Sequence, residues 1–340
     1  MSLPAYRRQE RRNNKEGSLE KLLGTREAYG EALVKLGEKY KDIVVLDADL
    51  SGSTKTSMFA KAFPDRFFNM GVAEQNMVGT AAGLAASGKI VFVSTFAIFL
   101  TGRAWEQVRQ SISFPKQNVK LVASHGGITV GTDGASHQSV EDISLMRSLP
   151  NMKVVVPSDA YEAKKVIEYA ATFVGPIYIR CSREKFPVLF DENYVFELGK
   201  GKILKEGKDA TIFACGIMVA VSLEAAFMLE EEGINVRVAN MSSIKPIDIE
   251  LITRCSEETG AIITAEEHSI IGGLGSAVAE VLVENSPCQM IRVGIKDRFG
   301  MTGSVRDLLH KYELTSESVV KAVKLVIEKK RKKLKPLSLY

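Results

Sequence analysis

A glutamate at the start of a small-residue stretch is the first candidate for chemistry. Glu74 lies in FFNMGVAEQNM, between an apolar run and the helix-like stretch AEQNMVGTAAGLAAS. The carboxylate could simply stabilise the helix, because an acid in the first turn gains a few tenths to about 1 kcal/mol from the helix dipole. It could instead hydrogen-bond a basic heteroatom of a cofactor. Residue type and position leave both interpretations open.

Two phenylalanines follow the apolar run KIVFVSTF. Phe96 and Phe99 lie in STFAIF, where a predicted strand ends. Packing in the core is the more common role at such a position. The alternative is an aromatic wall for a flat heterocycle, since ring systems stack on one another.

A glycine-rich loop carries two of the four histidines in the chain. His125, Asp133 and His137 lie in ASHGGITVGTDGASHQ, over residues 123–138. Loops that follow strands carry function more often than packing, and two histidines with an aspartate could move protons. The histidines are not spaced as zinc ligands, and no C-x-x-C pair occurs. The sequence therefore predicts no metal ligands and no disulfide framework.

Two arginines and a serine could bind an anion. Arg26, Ser53 and Arg183 are unremarkable singly, because most arginines lie on the surface. Guanidinium forks and a hydroxyl nevertheless suit a phosphate monoester, and Arg183 directly follows a predicted strand in RCSREKFP.

The pattern of elements predicts how these residues meet. Val- and Ile-rich runs alternate with helical patterns, one of which predicts a helix around 102–114. This alternation is typical of a parallel sheet covered on both faces. The fold class is therefore α/β, with two doubly wound, mostly parallel-sheet domains. Their predicted bounds are 20–186 and 208–328, with a linker at 187–207 and basic termini at 1–19 and 329–340. Ligands of open α/β sheets bind beyond the carboxyl ends of the strands, where the candidate residues lie.

Charge and hydropathy argue against a nucleic-acid-binding protein and against a membrane-spanning one. The net charge of +4 conceals basic ends, because residues 1–21 carry +3 and residues 324–340 carry +6. No aromatic residues interleave with these charges as stacking on nucleic acid requires, so we predict solvated ends and no nucleic-acid partner. No stretch reaches the ~18–20 apolar residues of a membrane span, and no signal peptide is seen. A cytoplasmic protein is expected.

Two motifs identify a family. MGVAEQNM resembles the glutamate motif of the transketolase pyrimidine domain, and DGASHQSVEDISLMRSLPNMKVVVPSDA resembles the family's longer histidine-containing signature. The resemblance covers roughly residues 20–330, and it is to the C-terminal subunit of the split, two-chain form. It implies a thiamine-diphosphate pyrimidine-binding domain followed by a transketolase C-terminal domain.

The resemblance implies roles toward the cofactor, thiamine diphosphate. Glu74 would hold the N1′ nitrogen of the aminopyrimidine, which favours the tautomer that activates the thiazolium carbon. Phe99 would stack on the pyrimidine with Phe96 beside it, and Asp49 in DADLSGS matches a cofactor-binding segment.

The resemblance also implies which residues bind a sugar phosphate. Arg26, Ser53 and Arg183 match phosphate contacts, Asp133 matches the group that reads a sugar hydroxyl, and His137 matches the histidine near the C1 hydroxyl. Glu74 and His137 are thus the expected catalytic residues. The chain departs from the family at Gly102, where an aromatic residue is expected. His125 matches only loosely and stays outside the catalytic set.

One motif of the family has no counterpart here. The resemblance implies that diphosphate and Mg²⁺ are bound by Gly-Asp-Gly followed by Asn-Asn. The sequence contains no Gly-Asp-Gly, and its one Asn-Asn pair, Asn13-Asn14, follows no such motif. Oxygen ligands for Mg²⁺ are therefore expected on an N-terminal transketolase subunit of about 270–300 residues, a size that the resemblance implies. We expect a heterotetramer in which this chain self-associates as a dimer through its C-terminal domain.

Three other interpretations stay open. They are the β subunit of a 2-oxoacid dehydrogenase, an enzyme like 1-deoxyxylulose 5-phosphate synthase, and a non-catalytic interaction subunit. Arg26, Ser53, Asp133 and Arg183 together favour ketol transfer between sugar phosphates, because a 2-oxoacid offers no phosphate to bind. A branched or sulfonated sugar is a further possibility within the family.

Overall fold

The larger of two main sheets has seven strands. The structure is a computed structural model that describes residues 21–333. Six strands are mutually parallel: β2 (Ile43–Asp47), β3 (Phe67–Asn69), β4 (Ile90–Phe96), β5 (Val119–Ser124), β6 (Lys153–Val155) and β7 (Ile177–Arg180). The order across the sheet is β12-β6-β7-β5-β4-β2-β3, and β12 (Ser243–Lys245) is antiparallel. A short antiparallel pair, β1 (Leu22–Gly24) with β8 (Lys185–Pro187), lies apart from it.

Helices lie between these strands. They are α1 (Thr25–Lys39), α2 (Ser51–Thr54), α3 (Ser57–Ala62), α4 (Glu74–Ala86), α5 (Trp105–Gln107), α6 (Asp142–Arg147) and α7 (Ala160–Thr172). Two π-helical turns, Phe99–Arg103 and Val108–Ser113, flank α5. Single 3₁₀ segments span Pro64–Arg66 and Ile128–Asp133. Helix α7 begins where the side chain of Asp159 accepts the Glu162 amide, a standard N-cap.

The second sheet has five strands in the order β14-β13-β10-β11-β9. Strands β10 (Ala210–Ala214), β11 (Val236–Asn240), β13 (Ala261–Ser269) and β14 (Gln289–Ile295) are parallel, and β9 (Lys202–Lys205) is an antiparallel edge. The helices are α8 (Met218–Glu231), α9 (Ile249–Thr259), α10 (Leu274–Asn285), α11 (Val305–Lys311) and α12 (Ser316–Lys333). Strands β10 and β13 are buried along almost their whole length, as expected for a sheet covered on both faces.

The predicted fold class, α/β with mostly parallel sheets, is confirmed. The details differ in three places. Strand β12 from the second half of the chain extends the first sheet, and β9 lies inside the stretch expected to be a linker. The helix expected over 102–114 is broken by the two π-helical turns, a feature that often marks functional sites.

The sequence predicts no membrane-spanning segment and two basic termini. Of the helices between residues 21 and 333, none is both long and apolar enough to cross a membrane. The basic terminus at 1–19 lies outside the described residues, as do residues 334–340 of the other one.

Candidate active site

All candidate residues except Glu74 and Arg26 follow four neighbouring strands of the first sheet, and Arg26 lies near the start of α1. In the order β7-β5-β4-β2, the strands end at Arg180, Ser124, Phe96 and Asp47. Parallel strands present their carboxyl ends at one edge, so the residues that follow them converge there. Glu74 begins α4, which follows β3 at the same edge.

Glu74 forms an ion pair with a residue that the sequence analysis did not select. Its carboxylate is 5% exposed, and its Oε1 lies 3.1 Å from Nη1 of Arg103. The guanidinium of Arg103 also lies over the ring of Phe99, 4.2 Å from the centroid. A planar cation therefore already hydrogen-bonds Glu74 and stacks on Phe99. This carboxylate and ring together can accept a flat, positively charged hydrogen-bond donor.

Two phenylalanines and two histidines form one cluster of rings. Phe96 and Phe99 stack with centroids 5.7 Å apart, and His125 stacks on Phe96 at 3.7 Å. His137 meets the ring of Phe99 edge-on at 5.3 Å. Phe96 is nearly buried and Phe99 is half-buried, so the first packs in the core while the second can contact a ligand.

His125 lies inside this cluster although the sequence analysis left it outside the catalytic set. Its backbone has a φ of 60°, and its Nδ1 lies 2.8 Å from Oγ of Ser124. Burial lowers the pKa of His125 to about 3, helped by the positive charges of Arg26 and Arg183 and by the ring of His137. The imidazole is therefore neutral near pH 7, and both arginines are close enough to act on it.

Arg26 and Ser53 are in direct contact. Nη1 of Arg26 donates to the backbone oxygen of Ser53 at 3.0 Å, and its Nε lies 3.3 Å from a Glu27 oxygen. Lys55 reaches the same Glu27 oxygen at 3.6 Å and adds a second cation. This side of the site combines positive charge with a serine, the chemistry that an anionic group requires.

Arg183 and Asp133 form an ion pair on the other side. Nη1 of Arg183 lies 3.3 Å from Oδ1 of Asp133 and also donates to the Val130 carbonyl. Both side chains are about one-third exposed, so a ligand can compete for either at low cost. The loop that carries Asp133 turns at Gly131 and Gly134, whose φ angles of 77° and 79° favour glycine.

Asp49 lies at the surface of the protein. It is exposed, has a φ of 62°, and exchanges two hydrogen bonds with Asn69 at the end of β3, at 3.1 and 2.9 Å. The neighbouring acid Asp47 is buried and accepts bonds from the Leu50 amide and from two threonine hydroxyls. Asp47 therefore shapes the strand end, while Asp49 remains accessible.

The glycine-rich loop is held from the second half of the chain, which sequence reasoning missed. Oε1 of Glu267 on β13 accepts the Thr129 amide at 2.7 Å, and Nε2 of Gln138 donates to the Met301 carbonyl at 2.9 Å. Burial raises the pKa of Glu267, although the charge of Arg180 opposes this. The two adjacent acids in AEEH, directly after the largely apolar run AIITA, were the available signal.

A second buried network supports the same loop. Oδ2 of Asp142 accepts from Nε of Arg180 at 2.8 Å and from the Tyr178 hydroxyl at 2.6 Å. Nη2 of Arg180 then donates to the backbone oxygen of Glu267 at 2.9 Å. This chain of contacts joins the two sheets beneath the site.

No group of three or more His, Cys, Asp and Glu side chains that could hold a metal ion is present among residues 21–333.

Comparison with known proteins finds two family matches along the chain. Residues 21–188 match the family described as "Transketolase, pyrimidine binding domain", and residues 199–319 match "Transketolase, C-terminal domain". A Methanocaldococcus jannaschii protein with the provisional name transketolase C-terminal section is 52% identical over 303 residues, covering 88% of this chain and 95% of that protein. The 6-deoxy-6-sulfo-D-fructose transketolase subunit SqwH of Clostridium sp. (strain MSTE9) is 43% identical, covering 90% and 95% respectively.

A solved structure described as "Split gene transketolase, inactive beta4 tetramer" is also similar. It is 57% identical, with a TM-score of 0.86, and the match covers 91% of this chain and all of that chain.

Proposed function

The chain belongs to the transketolase family, and from that premise we propose that it is the C-terminal subunit of a two-chain transketolase. The reaction is the reversible transfer of a two-carbon ketol unit from a ketose phosphate, such as xylulose 5-phosphate, to an aldose phosphate. One observation carries the proposal: a buried carboxylate and an aromatic face lie at the same sheet edge as two arginines and two histidines.

The residues present fit the aminopyrimidine of thiamine diphosphate. Glu74 and Phe99 already receive a planar cationic donor, the Arg103 side chain, and an aminopyrimidine is likewise planar and basic. Glu74 would hydrogen-bond its ring nitrogen, Phe99 would stack on it, Phe96 would support Phe99, and Asp49 would contribute from the end of β2. When bound, the cofactor supplies the nucleophilic carbon that cleaves and forms carbon–carbon bonds.

The other site residues act on the sugar. Arg26, Ser53 and Arg183 bind the phosphate, and Asp133 accepts a hydrogen bond from a hydroxyl once Arg183 turns toward the ligand. Nδ1 of His137 lies 3.0 Å from Oγ of Ser136, which leaves Nε2 to bind the C1 hydroxyl and move its proton. His125 is neutral and can donate or accept without adding charge.

The site is completed by a second chain in this proposal. An N-terminal subunit would bring the ligands for diphosphate and Mg²⁺ and form a heterotetramer with two copies of this chain. Two findings support this: the relative named as a C-terminal section, and the similar structure described as an inactive β4 tetramer. We infer that this chain alone self-associates without activity. The cytoplasm is the proposed location of the assembly.

The proposal is tested by what the assembled enzyme transfers. We expect two-carbon transfer from xylulose 5-phosphate to ribose 5-phosphate. The arginines could also accept a sulfonate, and the SqwH relative is named for such a sugar, so 6-deoxy-6-sulfofructose belongs among the donors tested. Decarboxylation of a 2-oxoacid without two-carbon transfer would contradict the proposal.

Replacing Arg183 with alanine should raise KM for phosphorylated sugars by about ten- to a hundredfold, because a hydrogen bond to a charged group contributes about 1.5–3 kcal/mol. Steady-state kinetics with matched phosphorylated and unphosphorylated acceptors measure this effect. The unphosphorylated acceptor is the control and should change little. An equal loss on both acceptors would remove Arg183 from the phosphate site.

A further inference from the structure

Arg103 lies beside two of the residues that we propose to bind the cofactor, Glu74 and Phe99. It ends the π-helical turn Phe99–Arg103, and its side chain is 52% exposed while Glu74 is 5% exposed. The same guanidinium is 3.1 Å from the Glu74 carboxylate and 4.2 Å from the Phe99 ring centroid. One side chain thus contacts both residues to which the proposed function assigns the pyrimidine ring.

The chemistry of this contact resembles that of the proposed ligand. A guanidinium is planar, cationic and rich in N–H donors, and it stacks on aromatic faces. A buried carboxylate without a partner is costly, so Glu74 needs a positive donor whenever no base is bound. Arg103 is the only residue that hydrogen-bonds the Glu74 side chain within residues 21–333.

We propose that Arg103 is a displaceable occupant of the pyrimidine subsite. The inference rests on the proposed function and adds a step to it: the ring binds by displacing the guanidinium from Glu74 and Phe99. Guanidinium and ring compete for the same carboxylate and the same aromatic face, so both cannot hold these positions together.

The surroundings allow the side chain to move while the backbone stays in place. Nε2 of Gln75 donates to the Arg103 carbonyl at 3.1 Å, which anchors the main chain. The neighbouring Gly102 has open space beside it, because an added Cβ would meet only a methyl group of Ile98, at 3.8 Å. The absent side chain at Gly102 therefore leaves Arg103 room to swing toward solvent.

Binding of the isolated ring to the full-length chain tests the inference. The probe is 4-amino-5-hydroxymethyl-2-methylpyrimidine, followed by calorimetry. Fluorescence of Trp105, the only tryptophan, is a second readout two residues from Arg103. Arg103→Ala removes both the ion pair with Glu74 and the cation–π contact with Phe99. The variant should therefore bind the ring about three- to thirtyfold more tightly.

Two variants serve as controls. Arg109 is an exposed arginine six residues further on, and Arg109→Ala removes the same charge, so it should bind the ring as the unaltered chain does. Glu74→Gln should weaken binding whether Arg103 is present or not, because the ring loses its charged partner.

Equal or weaker ring binding by Arg103→Ala would overturn the inference, since Arg103 would then be neutral or a supporting contact. Ring binding that depends on Glu74 but not on Arg103 would overturn it while leaving the proposed function intact. Failure of every variant to bind the ring would also overturn it. Equilibrium dialysis of thiamine diphosphate with the assembled enzyme then shows separately whether the proposed function fails as well.

Discussion

Glu74→Gln is expected to lower kcat of the assembled enzyme by about 10²–10⁴-fold, the range for loss of an acid–base group. Glutamine keeps the shape and hydrogen-bonding capacity of the side chain. It loses the negative charge that favours a proton on the bound heterocycle. Steady-state kinetics at saturating sugar and cofactor measure the effect, and size-exclusion chromatography checks that the assembly is unchanged.

The matched control is Glu106→Gln, an exposed acid beside the same aromatic segment, which should leave kcat unchanged. If Glu74 served only the start of α4, its glutamine variant would lose up to about 1 kcal/mol of stability and retain its kcat. That result would end the catalytic assignment of Glu74.

Asp142→Ala should lower the free energy of unfolding by about 3–5 kcal/mol, because it removes the ion-pair partner of the buried Arg180. The Tyr178 hydroxyl loses its acceptor in the same change. Burial, together with the Asp142 carboxylate, holds the pKa of Tyr178 well above its usual range, so the phenol stays protonated and needs that acceptor. Urea unfolding followed by circular dichroism should show a midpoint lower by about 1 M or more.

Two comparisons separate this effect from a general loss of charge. The Lys296–Glu313 pair is exposed on both sides, so Glu313→Ala should cost about 0–1 kcal/mol. The double variant Asp142→Ala with Arg180→Met removes both buried charges and should recover part of the stability. A loss below about 1 kcal/mol for Asp142→Ala would contradict the proposed role of this network.

The location of the site follows from sequence because it depends on a regular property of parallel sheets. Phe96, His125 and Arg183 each end or follow a strand, and neighbouring strands bring such residues together whatever their helices do. The family motifs then identify the fold, and the two matched domains confirm it. The roles of the individual site residues remain predictions.

Other contacts depend on backbone geometry that a short sequence motif does not predict. Arg103 contacts Glu74 and Phe99 from the end of a π-helical turn, where the sequence predicts a regular helix over 102–114. His125 enters the ring cluster through a left-handed backbone conformation that histidine adopts uncommonly. Glu267 meets Thr129 across 138 residues of chain, and strand β12 crosses to the first sheet in the same way.

The most direct test of the account is a coupled assay of this chain with and without the proposed N-terminal subunit. Xylulose 5-phosphate and ribose 5-phosphate are the substrates, with thiamine diphosphate and Mg²⁺ present in every reaction. The account predicts two-carbon transfer only when both chains are mixed, and none with either chain alone. Full activity of this chain by itself would contradict the claim that it is one part of a two-chain enzyme.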